Sequence, residues 1–92
     1  MKIRETDYIL LLKMLIFFDK MLHMKTLYDV QQLLKQFGIY VYIGKRLYDI
    51  EVMKLELEKL YENGLIDKEE YLIAELILRR EHRLEMEKET NG

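Results

Sequence analysis

The sequence predicts an all-α fold: a three-helix bundle with an extended connector and an additional helical extension at the N-terminus. Three observations carry that prediction. Apolar residues recur at spacings of 3 and 4 in three separate segments. Gly38 and Gly64 stand where two of those segments stop. The one β-rich stretch, residues 39–44, has no second strand elsewhere to pair with.

The first bundle helix is expected over 27–37. Thr26 lies three residues before Asp29, the spacing of a capping box, in which a hydroxyl accepts an early backbone N–H. Leu27, Val30, Leu33, Leu34 and Phe37 then form an amphipathic stripe, and Gly38 supplies the left-handed residue that ends it. Residues 39–44, Ile-Tyr-Val-Tyr-Ile-Gly, are β-branched and aromatic, and read as an extended connector laid across the bundle.

The second helix is expected over 46–63, with Ile50, Met53, Leu57 and Leu60 as a short heptad seam. Gly64 followed by Leu65 fits a Schellman ending. Asp67 and Glu70 open the third helix, expected over 68–85, where Glu75 and Arg79 have the favourable i,i+4 order. Its apolar block is wider than an ordinary core stripe. Leu72 and Leu76 fall on one flank, Ala74 and Leu78 on another, so a leftover apolar face is available for self-association. Beyond Glu81 the chain is polar apart from Leu84 and Met86, and fraying is expected there.

Residues 1–23 lack this punctuation. Lys2, Thr6, Lys13 and Lys20 give a weak polar line on an otherwise apolar wheel. The segment reads in three ways: an extension upstream of a true start at Met24, a fourth helix packed on the bundle or in an oligomer, or an interfacial anchor aided by Lys2, Arg4, Lys13 and Lys20. The domain division is accordingly 1–23 and 24–92. The apolar run over 8–18, interrupted by Lys13, would make a helix of about 16 Å, too short to span a bilayer. No membrane partner is expected, and the location expected is cytoplasmic.

Composition removes several chemistries. The 92 residues contain no Cys, Pro, Trp or Ser, which excludes a disulfide framework, a cysteine zinc site and Ser or Cys nucleophilic catalysis. His23 and His82 are far apart and lack ligands at metal spacing, so no metal and no cofactor is expected. Most carboxylates face Lys or Arg on solvated helix faces, while Asp29 and Asp49 read as caps or ion-pair partners near Lys45 and Arg46. An enzyme is not expected. The net charge of −2 averages three unlike parts: +1 over 1–23, +2 over 24–49 and −5 over 50–92.

The +2 stretch holds the candidate site. Tyr40 and Tyr42, two apart in an extended segment, project to the same side, and Lys45 and Arg46 follow them. Aromatic faces beside cations suit base stacking with phosphate contact. Arg79, Arg80 and Arg83 form a second basic cluster that could extend the strip. Tyr28, Lys35 and Tyr48 are candidates for adjacency. The alternative is that both tyrosines cover the core with their hydroxyls in solvent. Alternation decides between them: if Ile39, Val41 and Ile43 point inward, the tyrosines point out.

The run Tyr28-Asp29-Val30-Gln31-Gln32-Leu33-Leu34-Lys35, then Phe37-Gly38, residues 39–44 and Arg46 resemble the YqgQ-like family of small cytosolic proteins from Gram-positive bacteria. Asp49, Met53, Glu56, the run Glu58-Lys59-Leu60-Tyr61 and Leu78-Arg79 continue the resemblance over about 24–84. It implies a three-helix bundle and carries no catalytic motif or cofactor. The family pattern lacks the first 23 residues. The expected function is a non-enzymatic small binding protein for single-stranded RNA or DNA, using Tyr40, Tyr42, Lys45, Arg46, Arg79, Arg80 and Arg83. The alternative is a protein-interaction or homo-oligomeric adaptor using the apolar face of the third helix.

Overall fold

A computed structural model describes residues 4–91. Lys2, counted above among the extension's cations, lies outside them, as do the side chains of Lys20 and Asn91. The elements in order are α1 (Glu5–His23), α2 (Leu27–Lys35), α3 (Arg46–Glu62) and α4 (Lys68–Asn91), with no strand among the described residues. Helices α2, α3 and α4 form the bundle.

Each helix end follows from local chemistry. Thr26 Oγ1 accepts from Asp29 N at 3.3 Å, and Asp29 Oδ2 accepts from Thr26 N at 3.0 Å and Lys25 N at 2.9 Å. Both halves of the capping box are therefore made. After Lys35 the chain turns through Phe37 into Gly38 at φ +75°, rather than continuing as regular helix to 37. Gly38 N bonds Lys35 O and Ile39 N bonds Leu34 O, the two bonds of a Schellman ending. Gly64, at φ +71°, repeats the motif after α3, with Gly64 N on Tyr61 O and Leu65 N on Leu60 O. Asn63 is the cap of α3, not its last helical residue. At the start of α4, Asp67 Oδ1 accepts from Glu70 N at 2.8 Å.

The third bundle helix runs six residues further than expected, to Asn91 rather than 85. Its polar end is laced by Lys88–Glu85 (3.1 Å), Arg83–Glu87 (3.8 Å) and two bonds from Thr90 Oγ1 to Met86 O and Glu87 O. Neighbours at i,i+3 and i,i+4 support a helix that has no core to cover.

The core joins Leu27, Val30, Leu33 and Leu34 of α2, Ile50, Met53, Leu57 and Leu60 of α3, Ile66, and Ile73, Ala74, Ile77 and Leu78 of α4. One flank of the wide α4 block is thus inside and the other, Leu72 and Leu76, is outside. Tyr61 stacks on Tyr71 at 4.4 Å between ring centres, closing the α3–α4 turn. Burial and the nearby Glu75 and Glu58 carboxylates push the Tyr71 phenol above its usual range.

Helix α1 meets α4 but sinks little into the bundle: Phe17 is half-buried against the core, and the other described α1 side chains are exposed. The radius of gyration, 16.2 Å, exceeds the roughly 12 Å of a compact chain of this length for that reason. No helix of the described residues is long and apolar enough to cross a membrane.

The Asp29 cap makes a pH prediction. The backbone N–H groups of Lys25 and Thr26 hold its carboxyl below the usual value of 3.8. A folded-state pKa lower than the unfolded one gives stability that is present above the unfolded value and lost as pH falls through the folded one. Asp29→Asn keeps an acceptor oxygen but cannot titrate. The stability difference between wild type and Asp29→Asn, measured by urea unfolding, should therefore be constant above about pH 5 and shrink as pH falls below about 4. A difference independent of pH down to about pH 2 would refute it.

Candidate functional site

The connector takes its shape from two constraints. Behind it, Ile39 and Val41 pack against the core. Ahead of it, the buried carboxylate of Asp49 on α3 accepts the Ile43 N–H at 2.6 Å. Asp49 is therefore the clasp that holds residues 39–43 across the bundle, not an ion-pair partner of Lys45 or Arg46. A charged acceptor makes this stronger than an ordinary backbone bond. Gly44, at φ +105°, then redirects the chain into α3.

With Ile39 and Val41 facing in, Tyr40 and Tyr42 face out, at 74% and 89% exposure. Neither ring covers the core. The alternation stops at Ile43, whose side chain is exposed while its N–H turns to Asp49.

The tyrosines stand beside a groove between the connector and α2. One part, ≈ 300 Å³, is lined by Gln31, Leu34, Lys35, Ile39, Tyr40, Val41 and Tyr42. It adjoins a second part, ≈ 580 Å³, that shares Gln31 and Tyr42 and adds Tyr28, Gly44, Arg46, Asp49 and Glu81. Tyr28, Gln31 and Lys35 are at i, i+3 and i+7, one line along α2. Among the described residues no carboxylate pairs with Lys35.

The other cations are differently placed. Lys45 Nζ lies 3.0 Å from Glu89 Oε1 and 4.8 Å over the Tyr48 ring, and the Glu89 bond raises its ammonium above the usual value. Arg46 is gripped by Glu81 (3.1 Å) and Glu85 (3.3 Å). Glu81, Glu85 and Glu89 form a carboxylate ladder at four-residue spacing on the far part of α4. Arg80 donates to Lys25 O at 2.8 Å and touches Glu81 at 3.3 Å. Arg79 and Arg83 pair with Glu75 and Glu87. Each is two residues from Glu81, about 160° around the helix, so they stand away from Arg46.

The structure thus brings Tyr40, Tyr42 and Arg46 to one groove, sets Lys45 beside it on Tyr48, and leaves Arg79 and Arg83 elsewhere. The α2 side of the groove was suggested by Tyr28 and Lys35, but Gln31 was missed. Its signal is the i, i+3, i+7 spacing on the polar side of α2. The ladder was missed because the segment after Glu81 reads as fraying.

His82 Nε2 lies 3.3 Å from Glu51 Oε1, a contact between α4 and α3. Among the described residues no group of three or more His, Asp or Glu side chains is placed to hold a metal ion.

The YqgQ-like family matches residues 24–84 of the chain, which takes in α2, the connector, α3 and α4 as far as Leu84. The uncharacterized protein YqgQ of Bacillus subtilis (strain 168) is 49% identical over 69 residues, covering 75% of this chain and 92% of that protein. Helix α1 precedes the matched region. By the family match over 24–84 and the 49% identity to that relative, the chain belongs to the YqgQ-like family.

Proposed function

We propose that this protein is a non-enzymatic binding module for single-stranded nucleic acid, with the connector groove as its site. One observation carries the reading: two neighbouring tyrosine rings, 74% and 89% exposed, stand across a groove from Lys35, which among the described residues has no carboxylate partner. Exposed aromatic rings are ready faces for unstacked bases, and no folding energy is gained by leaving them there. Gln31 offers both donor and acceptor to a base edge. Lys35 and Arg46, toward opposite ends of the groove, serve the backbone phosphates.

The glutamate ladder sets the strength. Arg46 is half exposed but Glu81 and Glu85 are only 15% exposed, so a phosphate that displaces either carboxylate must overcome more than the roughly 0–1 kcal/mol of a fully exposed pair. The displaced carboxylates still repel the backbone. Binding is therefore modest and salt-sensitive.

The test is a fluorescence-anisotropy titration of labelled oligo-dT and oligo-U. Saturable binding is expected at about 50 mM salt. With two or three phosphates neutralised, affinity should fall about tenfold by about 200 mM. Absence of binding at the lower salt refutes the proposal.

A protein-interaction or homo-oligomeric adaptor is the second reading, favoured by Leu76, which lies 62% exposed on the outer flank of α4. It predicts that Leu76→Lys removes partner binding or self-association while leaving oligonucleotide binding intact.

A further inference from the structure

Helix α1 carries a row of side chains that the bundle does not use. Tyr8, Leu11, Leu15, Phe18 and Leu22 recur at 3, 4, 3 and 4, and each is 51–65% exposed. At 100° per residue the row lies about 100–180° around from Phe17, the residue that with Met21 faces Ile73 and Ile77 of α4. Ile9, Leu10, Leu12, Met14 and Ile16 are as exposed, at 52–59%, but this row runs for two heptads without a charge, the pattern of a helical-pair seam. We propose that α1 pairs along this seam with α1 of a second copy of the chain.

The observations favour that occupant. A seam repeating every 3.5 residues fits another helix carrying the same repeat, and a second copy supplies one. The five side chains have about 100 Å² each to bury, about 500 Å² a copy and about 1,000 Å² a pair, the size at which specific interfaces begin. Charge argues against an anionic lipid surface. Asp7 and Asp19 fall on the two sides of the row, and Lys13 lies on the opposite side of the helix. A surface-seeking helix has cations where these carboxylates stand. The interface is independent of the connector groove, on an element outside the family match.

Leu15 is the midpoint of the row, so it meets its counterpart whether the helices pair parallel or antiparallel. The chain has no cysteine, which makes Leu15→Cys a single reporter. Under mild oxidation of the full chain, Leu15→Cys should give a disulfide-linked dimer on a non-reducing gel, while Glu58→Cys on exposed α3 should not. In sedimentation equilibrium the wild type should rise with concentration from 11.3 kDa toward twice that mass. Leu15→Glu/Leu22→Glu should stay at 11.3 kDa with its helical circular dichroism retained. A wild-type mass fixed at that of one chain, a dimer that persists in the double variant, or Leu15→Cys cross-linking no better than Glu58→Cys overturns the proposal. So does wild-type chain that pellets with phosphatidylglycerol vesicles but never dimerises in solution.

Discussion

Leu78→Ala is expected to cost about 2–5 kcal/mol, enough to leave the bundle largely unfolded near body temperature. Leu78 has no exposed surface, and it sits where α4 packs against the α2 and α3 stripes. Truncation there removes a large apolar side chain and leaves a hole that a short helix pair closes poorly. A single core of this size supplies about 3–5 kcal/mol, so the loss is comparable to the whole stability. At about 4–8 °C per kcal/mol, the melting temperature should drop by at least about 10 °C, read by circular dichroism. Leu76→Ala, two residues away on the exposed flank, should change stability by no more than about 0.5 kcal/mol. Equal effects at both positions would mean that α4 is rotated from the placement described.

That contrast marks the limit of what the sequence made legible. The helices, both glycine endings and the Thr26 cap follow from spacing and from residue chemistry within a few positions. The wide apolar block of α4 showed two flanks, 72/76 and 74/78, but periodicity alone has no means of choosing between them. The positions of α2 and α3 decide, and those are long-range facts. The length of α4 was underestimated because apolar periodicity stops near Leu84, whereas ion pairs continue the helix to Asn91.

The site divides along the same line. Outward tyrosines follow from alternation in the connector, a local property. The pairing of Lys45 with Glu89 and of Arg46 with Glu81 and Glu85 links residues 35 to 44 positions apart. The +2 segment by itself does not show that Lys45 and Arg46 are already held. Asp49 is intermediate: its place near the connector was visible, but its role as acceptor for Ile43 N–H needed the folded turn at Gly44.

Tyr40→Ala/Tyr42→Ala should weaken oligonucleotide binding by at least about 30-fold while leaving the fold unchanged. Each base stacked on an aromatic side chain is worth about 1–3 kcal/mol, and two such contacts together account for most of a modest affinity. Neither ring contributes to the core, so unfolding by urea should shift by no more than about 0.5 kcal/mol. Tyr40→Phe/Tyr42→Phe keeps both faces and removes only the hydroxyls, and it should bind within about twofold of wild type if stacking is the interaction. Loss of binding in the Phe pair as well would assign the contact to the hydroxyls, and unchanged binding in the Ala pair would remove the connector from the site. The salt slope separates the two halves of the groove. With the rings gone, the remaining binding should keep its dependence on salt, because Lys35 and Arg46 are untouched and counterion release depends on cations alone. Lys35→Ala should do the reverse, lowering the slope by about one phosphate's contribution while stacking persists. A groove in which the tyrosine variants change the slope and the lysine variant does not would be a surface of another kind.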